Sequence, residues 1–131
     1  MRMICTLIAL FTLGYNLTGF AAELPPVAVK KGVTYVADIK PIFEKNCLDC
    51  HGPDKQKADL RLDSLEAVLK GSEDGKVVNP GNSAESQLVL SVAHLGDKDL
   101  YMPKAPKGKT PVPLTVEEIG LIRAWIDQGA K

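Results

Sequence analysis

The sequence predicts a small all-α protein in which several short helices enclose a single core. Three observations support this fold class. Apolar residues recur at helical spacing in four segments, and capping or helix-breaking residues flank most of those segments. The chain also lacks the strand-helix-strand pattern that indicates a parallel sheet.

The first predicted helix covers residues 38–46 and ends at a pair of cysteines. Asp38 is its predicted N-cap, and Pro41 lies in the first turn, where a missing N–H costs little. Ile39, Ile42 and Phe43 share one face of this helix. The helix therefore delivers the segment Cys-Leu-Asp-Cys-His to the edge of the core.

Two shorter helices are predicted in the middle of the chain. One covers about residues 64–70 and ends at Gly71. The other is capped by Asn82 or Ser83 and fades near His94. Its apolar residues are Leu88, Val89 and Val92. Residues 96–113 are rich in proline and lysine and are predicted to form an irregular strap.

The last predicted helix has the strongest local signals. Thr115 and Glu118 form a capping box at its start, and Gly129 ends it. The residues Ile119, Ile122, Trp125 and Ile126 recur at helical spacing. We expect Phe43 and Trp125 to meet where the N-terminal and C-terminal helices cross.

Composition limits the classes of function. The 131 residues suffice for one domain, and they include 45% hydrophobic but only 5% aromatic residues, with a single tryptophan. A buried apolar prosthetic group would supply the missing bulk. The 16 basic and 16 acidic residues balance, which argues against a nucleic-acid surface.

Residues 1–22 are typical of an export signal. Arg2 precedes a mostly apolar run over residues 3–20, and Gly19, Ala21 and Ala22 provide a small-residue cleavage site. We expect an extended linker over residues 23–33, a folded domain over residues 34–131, and a periplasmic or secreted location. An uncleaved membrane anchor is the alternative. Cleavage would remove Cys5, leaving Cys47 and Cys50.

The segment Cys47-Leu48-Asp49-Cys50-His51 predicts covalent haem attachment. Two thiols at this spacing form thioethers with two vinyl groups, and the adjacent imidazole binds the iron as proximal ligand. Half of a zinc site is one alternative, although His94 is the only other histidine and a scattered ligand. A redox dithiol is the second alternative, and it expects a different structural setting.

A second axial ligand is expected downstream, where His94 and Met102 are the candidates. Met102 lies in a proline-stiffened strap that can hold a thioether over the haem, and the other two methionines belong to the signal. His94 near a helix end is better explained as a solvent-facing residue or a helix C-terminal cation. Met102 is therefore the predicted distal iron ligand, with His94 kept as the alternative.

Several motifs in a fixed order also resemble the planctomycete-type cytochrome c domain. They are DIKPIFEKNCLDCHG at residues 38–52, LRLDS at 60–64, NPG at 79–81, YMP at 101–103 and TVEEIGLIRAWIDQGA at 115–130. The resemblance implies a small fold like that of class I cytochromes c, with short helices around one covalently bound haem c. It also implies haem binding through Cys47, Cys50, His51 and Met102. In that family the domain often precedes larger domains, and the departure of this chain from that pattern leads us to expect a stand-alone carrier or a subunit of a larger oxidoreductase.

Two further sites are expected around the haem. The carbonyl of Pro80 in the Asn-Pro-Gly turn is the predicted acceptor for the second ring N–H of His51, an ordinary turn being the alternative. Lys98, Lys104, Lys107 and Lys109 near Met102 are predicted to attract an acidic redox partner, a solvated loop being the alternative.

These observations predict an electron carrier rather than an enzyme. Iron would cycle between Fe(II) and Fe(III) while both axial ligands stay bound. The alternatives are a haem enzyme or gas sensor with a displaceable distal ligand, and a module in which haem only stabilises the fold. No membrane span is expected after signal cleavage.

Overall fold

The structure is a computed structural model that describes residues 23–105 and 107–131. The described residues form helices and no strand, which confirms the all-α prediction. Five α-helices are α1 (Lys40–Asn46), α2 (Leu48–His51), α3 (Leu65–Lys70), α4 (Gln87–Val92) and α5 (Val116–Asp127). A π-helical turn at Tyr35–Ile39 precedes α1, and 3₁₀ turns occur at Lys57–Asp59, Ser83–Glu85 and Lys98–Leu100. The predicted export signal over residues 1–22 lies outside the described residues.

The N-terminal helical segment begins earlier than predicted. Thr34, not Asp38, is the N-cap, because its hydroxyl accepts a 3.3 Å hydrogen bond from the Ala37 amide. Asp38 instead accepts from the Thr34 amide at 2.9 Å and pairs with Lys30. The two side chains therefore cap the turn reciprocally, in the manner of a capping box.

The middle and last helices form close to their predicted positions. Ser64 caps α3, which ends at Gly71 with φ +91°. Asn82 caps the 3₁₀ turn at Ser83–Glu85 instead of α4, which starts only at Gln87. The predicted capping box of Thr115 and Glu118 is present at the start of α5. Capping signals thus identified the start of α5 correctly, whereas the cap predicted for α4 belongs to the preceding turn.

The core lies between the N-terminal helical segment and α5. Phe43 and Trp125 are both fully buried, and Tyr35 lies between them with ring centroids 6.3 Å and 6.0 Å away. The aromatic rings therefore join the two ends of the chain in tilted contacts, which are favourable for aromatic pairs. Lys45 at the end of α1 also pairs with Glu118 on α5 at 3.4 Å. These contacts fix the end of α1, and with it the start of the cysteine motif.

Residues 24–30 contain neither helix nor strand and lie along α5. The Ala28 amide donates to the Gly120 carbonyl at 3.0 Å, and Arg123 donates to the Pro25 carbonyl. The side chain of Gln128 binds the Lys30 carbonyl at 2.8 Å. The expected linker is thus hydrogen-bonded to the C-terminal helix. Within the described part of the chain, no helix is long and apolar enough to cross a membrane.

Candidate haem-attachment site

The helical turn of α2 brings the cysteine motif onto one face. The Cys47 amide closes α1 by donating to the Phe43 carbonyl at 2.8 Å. The amides of Cys50 and His51 then donate to the Cys47 carbonyl at 3.1 Å and 3.0 Å. Residues three and four positions apart in a helix are surface neighbours, so Cys50 and His51 both lie next to Cys47. This arrangement is what two thioethers and one iron ligand require.

Both thiols are half-buried and free. The pKa of the Cys47 thiol is raised to about 12, mainly by burial and to a smaller extent by the negative charges of Glu118 and of an ionised Cys50. Reactive dithiols instead show a lowered pKa. The environment of Cys47 therefore does not favour the redox-dithiol alternative.

The zinc alternative also lacks support from the described residues. A structural zinc site needs four nitrogen or sulfur ligands close together. Over residues 23–105 and 107–131, no group of three or more histidine, cysteine, aspartate or glutamate side chains is placed to hold a metal ion. The imidazole of His94, which would have to be the fourth ligand, instead forms a hydrogen bond with the Met102 carbonyl oxygen.

His51 is held as a neutral ligand would be. The residue is only 8% exposed, and burial lowers the pKa of its imidazole, although hydrogen bonds to backbone oppose this effect. Its Nδ1 lies 3.3 Å from the Leu60 carbonyl oxygen. A metal-bound histidine ordinarily donates its second ring N–H to such an acceptor, which fixes the ring and its tautomer. Nε2 is then the nitrogen left for iron.

The prediction that the Pro80 carbonyl accepts from His51 is wrong, since the structure gives this position to Leu60. Pro80 is exposed, and the adjacent Gly81 amide donates to the Ile126 carbonyl at 2.7 Å. The Asn-Pro-Gly turn therefore packs at the C-terminal end of α5. The Asn-Pro-Gly segment is therefore better described by the alternative prediction, an ordinary turn before a helix.

Met102 lies in the irregular strap and is half-buried against the core. Cys47 and Leu60 pack against the same core cluster. The strap is fixed to the end of α4, because the Met102 amide donates to the Ser91 carbonyl at 3.0 Å. The Met102 thioether and the Cys47 thiol thus border one apolar cluster, and Cys50 and the buried His51 belong to the same helical turn as Cys47. This donor set fits a covalently bound haem with one histidine and one methionine ligand.

His94 is not the solvent-facing residue predicted from its position. It is half-buried, and its Nε2 lies 2.9 Å from the Met102 carbonyl oxygen. Its ring stacks on Tyr101, with centroids 4.9 Å apart and planes inclined by 4°. The structure therefore brings the two candidate distal ligands together, with the imidazole bound to the backbone of the methionine.

The four predicted docking lysines lie around one cleft. Lys98, Lys104, Lys107 and Lys109 line an open cleft of about 500 Å³ beside His94 and Tyr101. The Lys104 ammonium donates to the Asp99 carbonyl at 2.6 Å. The cleft is therefore basic and adjoins the strap that carries Met102.

Two contributors to the site escaped sequence reasoning. The Leu60 carbonyl has no sequence signal, because every residue has a carbonyl group. The contact between His94 and Met102 had only a weak sequence signal. His94 directly follows the end of α4, and the strap returns to that end at Met102.

Comparison with known protein families gave one match. The family model described as Planctomycete cytochrome C matches residues 47–106, which begin at Cys47 and include Met102. The match supports a planctomycete-type cytochrome c domain and confirms the resemblance seen in the sequence. Neither the curated proteins nor the solved structures compared with the chain gave a match.

Proposed function

From a planctomycete-type cytochrome c domain over residues 47–106, we propose that this chain is a mono-haem c-type cytochrome that transfers electrons and is not itself an enzyme. One observation carries the proposal. The turn of α2 presents two free thiols beside a buried imidazole whose Nδ1 is already engaged by Leu60. A bound haem supplies one-electron chemistry, as its iron passes between Fe(II) and Fe(III).

The roles of the chain's own groups follow from the site. The thiols of Cys47 and Cys50 would each hold the haem through a thioether, formed by addition of S–H across one vinyl group, which needs no oxidant. His51 would bind the iron through Nε2, and Met102 would bind it through its sulfur. A thioether ligand raises the reduction potential relative to a second imidazole.

Two properties of the surroundings support electron transfer over catalysis. The His94 imidazole is bonded to the Met102 carbonyl and is not free as a distal acid or base. The basic cleft beside the strap suits an acidic redox partner, because complementary charge accelerates encounter. We propose an exported protein, in keeping with the signal-like residues 1–22 and the location of c-type cytochromes in general.

Attachment is tested by extraction. The chain is produced together with a c-type haem maturation system, and haem is extracted with acidified acetone. Wild type is expected to keep its haem through extraction, while Cys47→Ser/Cys50→Ser releases all of it. Cys5→Ser is the matched control and should behave as wild type. Release of haem from wild type would overturn covalent attachment.

Ligation is tested by spectroscopy. The oxidised protein should show the weak long-wavelength sulfur-to-iron band, and the reduced protein should not bind carbon monoxide readily. Met102→Ala should lose the band, keep its attached haem and bind carbon monoxide. A wild type that binds carbon monoxide and lacks the band would instead indicate an enzyme or sensor with an open iron position.

A further inference from the structure

The backbone at His94 adopts a conformation that ordinarily favours glycine. His94 has φ +55° and directly follows the C-cap residue Ala93 of α4. Its amide donates to the Ser91 carbonyl at 3.3 Å, and the next amide, of Leu95, donates to the Leu90 carbonyl at 2.9 Å. A left-handed residue that closes a helix in this way is most often glycine, since side chains are disfavoured there. The imidazole at this position therefore points to a role for the side chain.

The side chain of His94 is held on two sides. Its Nε2 lies 2.9 Å from the Met102 carbonyl oxygen, so Nε2 carries the proton and donates. Its ring stacks on Tyr101, whose hydroxyl reaches back to the Gly96 carbonyl at 3.5 Å. The ring plane and the donor direction are both fixed by these contacts.

Met102 depends on few contacts for its position. Residues 101–105 form no helix or strand. The Met102 amide donates to the Ser91 carbonyl at 3.0 Å, and the Met102 carbonyl accepts from His94. The partner in the first bond is the backbone of Ser91, and the partner in the second is the side chain of His94. Among the described residues, His94 is the one whose side chain hydrogen-bonds to Met102.

We infer that His94 is a positioning residue that holds the distal methionine over the haem, and not an iron ligand. The inference rests on the proposed function, in which Met102 ligates the iron. The hydrogen bond fixes the carbonyl group of Met102. It therefore favours the position of the strap in which Met102 packs against the core. An imidazole that ligated iron through Nε2 would have to give up this bond.

Competition with an added ligand measures this effect. Imidazole binds ferric iron only after displacing Met102, so its apparent Kd reports how firmly the strap holds the methionine. His94→Gly is the informative variant, because glycine suits the backbone conformation at this position and should preserve the helix end. Its apparent Kd for imidazole should fall about fivefold, the factor that one neutral hydrogen bond supplies. His94→Gln should move the Kd back toward wild type, since its amide can donate to the same carbonyl.

A matched control separates positioning from general loss of stability. Ser64→Ala removes the N-cap of α3, whose hydroxyl accepts a 3.2 Å hydrogen bond from the Ala67 amide, and leaves α4 and the strap intact. It should lower the melting temperature while leaving the Kd for imidazole unchanged. An unchanged Kd and an unchanged sulfur-to-iron band in His94→Gly would overturn the inference.

The Met102→Ala variant distinguishes failure of the inference from failure of the proposed ligands. If Met102→Ala loses the sulfur-to-iron band and His94→Gly equals wild type, only the role of His94 is wrong. If Met102→Ala keeps the wild-type spectrum and His94→Gly loses it, His94 is the ligand. That result would overturn both the inference and the proposed ligand pair.

Discussion

The phenolic hydroxyl of Tyr35 donates a 2.8 Å hydrogen bond to the carbonyl oxygen of Leu62. The amide of Leu62 in turn donates to the His51 carbonyl at 2.8 Å. Leu62 therefore connects Tyr35, whose ring contacts Phe43 and Trp125, to the residue proposed to bind iron. Leu60, two residues earlier, supplies the acceptor for the His51 ring. The segment over residues 60–62 thus supports the proximal side of the site through backbone groups.

Removal of the Tyr35 hydroxyl should destabilise the protein with little change in packing. Tyr35→Phe keeps the ring between Phe43 and Trp125 but leaves the buried Leu62 carbonyl without this donor. We expect a loss of about 1–2 kcal/mol in the free energy of unfolding, measured by chemical denaturation. Tyr101→Phe is the matched control, because its hydroxyl makes only a 3.5 Å contact with the Gly96 carbonyl. Equal losses in the two variants would contradict a special role for the Tyr35 hydroxyl.

The same hydroxyl predicts a stability difference that depends on pH. The pKa of Tyr35 is raised to about 12, mainly by burial and to a smaller extent by the negative charges of Asp63 and Glu44. The unfolded chain ionises its tyrosines near pH 10, so between these values the unfolded state loses the proton first. The contribution of the Tyr35 hydroxyl is therefore complete below about pH 10 and is lost as pH rises toward 12.

Melting temperatures of wild type and Tyr35→Phe test this pH dependence. The advantage of wild type should be constant from about pH 7 to about pH 9 and should shrink above about pH 10. The comparison cancels the titration of lysines, which both proteins share. An advantage that stays constant up to about pH 12 would show that Tyr35 ionises equally easily in both states.

Local signals predicted most helices, and contacts between distant residues account for the errors. Thr115 caps α5 together with Glu118 in its first turn, because a capping box involves residues only three positions apart. Asp38 was misassigned because its carboxylate turns back to Thr34 and Lys30. At the site, spacing identified the thiols and His51. The Leu60 acceptor and the His94 contact depend on how the loops fold, and spacing does not encode that.

Gly120 has a packing role that its helix position conceals. A methyl group on Gly120 would lie 2.7 Å from the Pro26 carbonyl oxygen and 3.4 Å from the Ala28 amide nitrogen. Replacing a helical glycine by alanine ordinarily stabilises a protein by about 1 kcal/mol. Here the close backbone should reverse the sign, and we expect Gly120→Ala to destabilise by about 1–3 kcal/mol. Stabilisation would show that residues 24–30 move away from α5 at no cost.

The measurement for Gly120 is equilibrium unfolding, with Val116→Ala as control. Val116 lies in the first turn of the same helix and is 54% exposed, so its replacement should change the free energy of unfolding by less than about 0.5 kcal/mol. A large effect at both positions would point to the helix itself, whereas an effect at Gly120 alone indicates its contact with Pro26.

Charge reversal in the basic cleft should change electron-transfer rates according to the charge of the reaction partner. Lys107→Glu/Lys109→Glu changes two exposed lysines that line the cleft beside His94 and Tyr101. With ferricyanide as oxidant, we expect the reduced variant to react about threefold to tenfold more slowly than wild type at low ionic strength. With a cationic cobalt(III) complex it should react faster, and added salt should reduce both differences because it screens exposed charges.

Lys31→Glu/Lys70→Glu makes the same change in net charge away from the cleft and is the matched control. If both double variants respond equally, net charge alone sets the rate and the cleft does not guide the partner.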